Sequence, residues 1–217
     1  MFRSWLEPLP LIAILRGLRP EESVAVGNAI ADAGFRILEV PLNSPRPLES
    51  IRQLVDALGD RCLIGAGTVL SVDAVADVAA AGGKLIVMPH ADTRVIAAAR
   101  SAGLFCVPGV STPTEAFAAL AAGANALKAF PAELITPSVL RAWRAILPPE
   151  VPLLPVGGID PDGMEVYRAA GAAGFGIGSA LYAPGRSVAE VADAARAFAR
   201  AWASSCKASG NQDIRRA

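Results

Sequence analysis

Histidine, cysteine and lysine are scarce in this chain, and each shortage removes a class of chemistry. A single histidine, His90, excludes metal sites built on several histidines and leaves a Ser-His-Asp triad only that residue to use. The three cysteines, Cys62, Cys106 and Cys206, are far apart and form no Cys-x-x-Cys pair, so they read as free, mostly buried thiols in a reducing cytoplasm. Net charge is zero with both signs interspersed, which argues against a nucleic-acid surface. Apolar runs are short and broken by Gly, Pro or a charge, so no segment is expected to span a membrane. The start contains Glu7, Pro8 and Pro10, and its apolar run ends in Arg16 rather than a small-residue cleavage site, which is unlike a secretory signal.

What is present is a repeated unit. An apolar run of about five residues is followed by a turn, an amphipathic helix and an Ala-Gly pair. The pairs stand at Ala33-Gly34, Ala81-Gly82, Ala102-Gly103, Ala122-Gly123 and Ala170-Gly171, with Leu58-Gly59 in the same place once; each reads as a helix stop. Helix starts are marked by Thr112-Pro113-Thr114-Glu115, Thr136-Pro137 and Asp160-Pro161. Eight strands are expected, at Leu11–Leu15, Ile37–Leu42, Cys62–Ala66, Leu85–Met88, Leu104–Val107, Ala126–Phe130, Leu153–Val156 and Gly174–Gly178. Apolar strands alternating with helices predict a single α/β domain, a (β/α)8 TIM barrel over residues 1–203. An open doubly wound sheet ranks lower, since no strand reads as an edge and none is followed by a full Gly-x-Gly-x-x-Gly. A helix over Val188–Trp202 would close the outer ring, and residues 204–217 read as a polar, disordered tail.

Against seventeen arginines there are three lysines. Lys84 opens a strand where its stem reaches water, and Lys207 lies in the tail, but Lys128 sits inside the apolar run Ala126-Leu127-Lys128-Ala129-Phe130. Burial pushes a lysine toward its neutral, nucleophilic amine, so Lys128 is a Schiff-base candidate. The bland alternative is a strand-end lysine that snorkels to solvent or pairs with a carboxylate. Alternation places Glu39 opposite Leu38 and Val40, and Lys128 opposite Leu127 and Ala129, so both point into the barrel mouth if the aliphatics face the helices. A structural ion pair would account for those two, but it would not require Arg16 at the end of the first strand. Thr68, after Gly65-Ala66-Gly67, reads as a ligand contact or a helix cap, and Ser44 as a turn or cap residue. His90, after Pro89 at the end of the fourth strand, is placed where it could face a ligand. Gly157-Gly158 and Gly178-Ser179 end the last two strands and open helices, an arrangement suited to a phosphate.

Five segments in this order, Leu11 to Gly17, Glu39-Val40-Pro41-Leu42-Asn43-Ser44-Pro45, Gly65 to Val69, Leu127-Lys128-Ala129-Phe130-Pro131 and Val156-Gly157-Gly158, resemble the 2-keto-3-deoxy-6-phosphogluconate and 6-phosphogalactonate aldolases. These are class I aldolases on a (β/α)8 barrel. The likeness covers essentially all of Leu9 to Ala203 and is specific as a set. Of the two branches the galactonate one is nearer. Gluconate relatives typically carry Thr-Leu-Arg-Thr where this chain has Pro41-Leu42-Asn43-Ser44, and Thr where it has Val156. The resemblance implies that Lys128 forms an imine with a C2 ketone and that Glu39 moves protons through a water. It further implies that Arg16 and Thr68 hold the substrate carboxylate, that Val156 lies beside the substrate, and that Gly157, Gly158, Gly178 and Ser179 take its phosphate. It implies no metal or other cofactor, pyruvate and glyceraldehyde 3-phosphate as products, and a homotrimer. Met88-Pro89-His90 and Ala129 depart from the usual pattern without removing a functional group. A sugar-phosphate epimerase, a thiamin-phosphate-synthase-like enzyme and a non-catalytic phosphosugar-binding barrel are the competing readings.

Overall fold

Each short apolar run pairs in parallel with its neighbours, and the segment after it crosses back as a helix. The computed structural model describes the backbone of residues 1–213 and side chains through residue 204. In chain order the elements are β1 (Leu11–Ile14), α1 (Pro20–Asp32), β2 (Ile37–Pro41), α2 (Pro47–Leu58), β3 (Leu63–Gly67), α3 (Val72–Ala80), β4 (Leu85–Val87), α4 (Thr93–Ser101), β5 (Phe105–Val107), β6 (Gly109–Val110), α5 (Pro113–Ala122), β7 (Leu127–Ala129), α6 (Pro137–Arg144), β8 (Leu153–Pro155), α7 (Met164–Ala169), β9 (Phe175–Ile177) and α8 (Val188–Asp213). A short 3₁₀ helix, Phe2–Leu6, precedes them.

All eight expected strands are present, but their hydrogen bonds form two parallel sheets, ordered β5-β4-β3-β2-β1-β9 and β6-β7-β8. The fifth expected strand continues past Val107 and breaks at Pro108, which has no N–H to give to a ladder. Its carbonyl still accepts the amide of Lys128 at 2.9 Å. On the other side, a lone parallel bridge joins Val156 to Gly176, and the amide of Ala173 donates to Leu153 at 2.9 Å. The architecture is therefore a curled, parallel α/β sheet with helices outside.

Strand alternation sorts the core into two shells. Leu11, Leu38, Val40, Ile64, Leu127 and Ala129 pack with the helices in the larger cluster. Ile12, Ile37, Leu63, Leu85, Val107 and Leu154 face inward in a smaller one. Phe2 and Leu6 join that inner cluster from the 3₁₀ helix, a role that the sequence pattern did not reveal.

The helix punctuation holds with two exceptions. Gly34, Gly82, Gly103, Gly123 and Gly171 all take positive φ, whereas Gly59 sits at φ −58° in the right-handed region. Thr112 and Glu115 form the expected capping box on α5, with the Glu115 amide donating to Thr112 Oγ1 at 3.3 Å and Glu115 Oε2 accepting the Thr112 amide at 2.9 Å. Asp160 does not open a helix: its Oδ1 accepts the amide of Gly163 at 2.7 Å, closing a turn, and α7 starts only at Met164. Helix α8 runs past Trp202 to Asp213, through most of the stretch expected to be a disordered tail; side chains from residue 205 onward, and the whole of residues 214–217, lie outside the described residues.

Candidate active site

At the C-terminal ends of the strands lies a cavity of about 380 Å³. Lys128 lines it from the middle of β7, where Gly109 and Leu154 are its neighbours in register. The lysine is 7% exposed, and its Nζ lies 4.4 Å from the centroid of the Phe130 ring. A cation over an aromatic face is attracted to it. The bland reading, a snorkelling lysine, fits Lys84 instead, which is exposed just ahead of β4.

Glu39 occupies the middle of β2, in register with Ile14 and Gly65. It is buried, does not line the cavity wall, and its Oε2 has no hydrogen-bond partner. Room for the carboxylate comes from Gly67, where an added Cβ would sit on top of it. No ion pair within 4.0 Å joins Lys128 to Glu39 among the described residues. They interact through space across a low-dielectric interior.

Burial sets both protonation states. It pushes the Glu39 carboxyl from 4.5 up to about 7, against the opposing pull of Lys128 and Arg16. It pushes the Lys128 amine down from 10.5; Glu39 opposes this and Arg16 adds to it. The site thus holds an acid–base group near neutrality and an amine biased toward its nucleophilic form.

Arg16, beyond β1, lines the cavity with its guanidinium on the rim, and its Nη1 donates to Asn43 Oδ1 at 2.7 Å. Ser44 is buried, and its Oγ accepts the amide of Gly17 at 2.9 Å, so it ties two loops together rather than capping a helix. Thr68 lines the cavity at φ +55°, an uncommon conformation for a β-branched residue, of the kind that clusters at functional sites. His90 is exposed and absent from the wall, where Pro89 stands instead, so the expectation that it could face a ligand is not met.

Val156, Gly157, Gly158, Gly178 and Ser179 all line the same cavity. Gly157 and Gly158 take φ +115° and +60°, conformations that suit glycine. The expected helix after the last strand is only a turn, in which Leu181 and Tyr182 donate their amides to the Gly178 carbonyl at 2.9 and 3.0 Å. Pro184 and Gly185 stop it there. Among the described residues no backbone carbonyl takes the amides of Gly158, Ser179 or Ala180, which leaves donors beside the cavity.

The structure therefore brings Lys128, Arg16, Thr68, Val156 and both glycine loops to one cavity, with Glu39 buried behind its wall. Sequence reasoning missed Phe130, Pro89 and the carboxylate clearance at Gly67. Phe130 stands two residues from the lysine, a spacing that puts both on one face of an extended strand.

The family profile "Aldolase: KDPG and KHG aldolase" matches residues 3–197. The chain is 47% identical, over 92% of its length and 97% of the relative's, to the 2-dehydro-3-deoxy-6-phosphogalactonate aldolase of Escherichia coli (strain K12). A solved native KDPGal structure superposes with a TM-score of 0.91 at 46% identity, covering 92% of this chain and 97% of that one. A cube-shaped protein cage designed by fusing symmetric oligomeric domains superposes with a TM-score of 0.94 at 44% identity, covering 96% of this chain and 77% of that one. By its profile match, its relatives and its fold, the chain belongs to the KDPG and KHG aldolase family.

Proposed function

We propose that this protein is a class I aldolase that cleaves 2-dehydro-3-deoxy-6-phosphogalactonate to pyruvate and glyceraldehyde 3-phosphate. The observation that carries the mechanism is the buried Lys128 amine facing the cavity, depressed by desolvation, with the Glu39 carboxyl held near neutrality behind it.

In this reading the neutral Lys128 amine attacks the C2 ketone. The protonated Glu39 carboxyl gives a proton, through a water, to the carbinolamine hydroxyl, which leaves as water, so that a protonated imine forms and Glu39 is left as the carboxylate. Glu39, acting through a water, receives the proton of the C4 hydroxyl. The C3–C4 electron pair moves onto C3 and into the imine, leaving an enamine, and the aldehyde departs. Glu39 returns the proton to C3, and hydrolysis of the new imine frees pyruvate and the lysine. The imine is the electron sink, so the reaction asks for no metal ion. Arg16 and Thr68 hold the carboxylate of the 2-oxo acid, and the free amides at Gly158 and Ser179, with Gly157 and Gly178, take the terminal phosphate.

Val156 favours the galactonate epimer over the gluconate epimer. Its side chain is buried against the cavity and carries no hydroxyl with which to hydrogen-bond the region around C4. The identity to an aldolase named for the galactonate substrate points the same way.

We further infer that the two sheets close into one (β/α)8 barrel over residues 1–203. The Val156–Gly176 bridge and the unbroken chain through Pro108 support it. A cytoplasmic, homotrimeric enzyme is part of the same reading. It is supported by the free buried thiols of Cys62 and Cys106 and by the oligomeric domains of the designed cage. Among the described residues no helix is long and apolar enough to cross a membrane. Light scattering on the purified chain measures the assembly.

The test of the function offers both epimers and couples pyruvate release to a lactate dehydrogenase. Turnover of the galactonate epimer, with the gluconate epimer used less efficiently and activity intact after dialysis against a chelator, is the expected result. A strong preference for the gluconate epimer contradicts the assignment.

A further inference from the structure

Arg16 is exposed on the rim of the cavity, yet none of the ion pairs among the described residues includes it. Its one side-chain partner among them is the carboxamide of Asn43, at 2.7 Å. Asn43 is outside the cavity wall, on the loop that follows β2. The next residue, Ser44, grips the amide of Gly17, so the Asn43-Ser44 pair clamps both the side chain of Arg16 and the backbone beside it. Gly17 has φ +84°, and an added Cβ there would meet Pro184 Cγ at 2.6 Å; the Arg16 loop is thus also wedged against the loop after β9. A flexible arginine at a rim loses rotamer freedom when it binds an anion, and an anchor that orders it beforehand lowers that cost. The chemistry of the anchor matters as much as its place. A carboxylate would also accept from the guanidinium but would neutralise it. A carboxamide oxygen holds it and leaves its charge free.

We propose that Asn43 is a positioning residue that holds the Arg16 guanidinium at the cavity through a neutral acceptor, keeping its full positive charge for the carboxylate of the 2-oxo acid. The inference rests on the aldolase reading of the site. Arg16 reaches Lys128 as well as substrate, since its charge adds to the depression of the lysine amine. The charged groups acting on Lys128 are Glu39 from β2 and Arg16 from beyond β1, and Asp160, from beyond β8, lines the same cavity.

Two substitutions separate anchoring from neutrality. Asn43→Ala removes the anchor and leaves the charge. It is expected to raise KM for the phosphorylated 2-oxo acid, and the pyruvate concentration giving half-maximal borohydride trapping, about tenfold, with kcat within about threefold of wild type and an unmoved pH profile. Asn43→Asp keeps the anchor and pairs the charge. It too raises KM, and because Arg16 then depresses Lys128 less, the acidic limb of the pH–rate profile moves to higher pH. Wild-type KM and half-saturation in Asn43→Ala would overturn the anchor. A wild-type KM and pH profile in Asn43→Asp would overturn the neutrality argument. Asn43 is exposed, so both variants should retain the wild-type thermal melt; if Asn43→Ala melts early and kcat falls with KM unchanged, the role is structural and the proposal fails. Failure of wild type to trap pyruvate at Lys128 would instead sink the aldolase reading, whatever the variants do.

Discussion

The two ends of the inner strand face are built from opposite materials. At the N-terminal end Phe2 and Leu6 close the interior with apolar side chains, and Lys84, just ahead of Leu85 at the start of β4, is exposed. At the C-terminal end the same face carries Glu39 and Lys128, with Arg16 on the rim. Burying an ionisable group costs stability unless it is paired, and these two are not in direct contact. One end is arranged for packing. The other gives up packing for an amine and a carboxyl whose proton affinities burial has brought toward neutrality.

The sharpest way to break this contrast is to exchange the lysines. Lys128→Met should abolish turnover and imine trapping, while Lys84→Met should leave both at wild-type levels in the coupled assay. Activity surviving at Lys128→Met would mean that the buried end does not carry the chemistry. Glu39→Gln keeps the shape and removes the proton carrier, so kcat should fall by about 10²–10⁴-fold with some imine still trapped. Turnover within a factor of about two of wild type would remove Glu39 from the mechanism.

The same variant sharpens the stability side. The folded-state pKa of Glu39 is raised above its unfolded value of 4.5 to about 7, so wild-type stability from this group is full below pH 4.5 and is lost as pH rises toward 7. Relative to wild type, Glu39→Gln should gain stability across that window by roughly 2–3 kcal/mol, read by urea unfolding at several pH values. A flat difference would show that burial does not govern this carboxyl. Smaller still is Val156→Thr, which should shift the ratio of kcat/KM toward the gluconate epimer by about 0.5–1.5 kcal/mol, one hydrogen bond. An unchanged ratio would free position 156 of that role.

The inner and outer faces were legible in the sequence because alternation is local: Leu38 and Val40 fix where Glu39 points, and Leu127 and Ala129 do the same for Lys128. Helix ends were legible for a similar reason, since Thr112 and Glu115 find each other within one turn. What could not be read depends on residues distant in the chain. Gly67 looks like any loop glycine until the Glu39 carboxylate is seen lying where its side chain would be. Asn43 looks like a turn residue until Arg16 reaches it. The plug of Phe2 and Leu6 belongs to the same class, because a segment of that length has no period from which to infer its target. Asp160-Pro161 misled because a cap-and-proline pair marks a turn as readily as a helix, and here Gly163 completes the turn.

Borohydride reduction in the presence of pyruvate tests the central claim most directly, because only an imine is made permanent. The intact protein should gain one reduced pyruvyl group, and peptide sequencing should place it on Lys128. An adduct on Lys84 or Lys207 with Lys128 unmodified, or no adduct at all, would contradict the account.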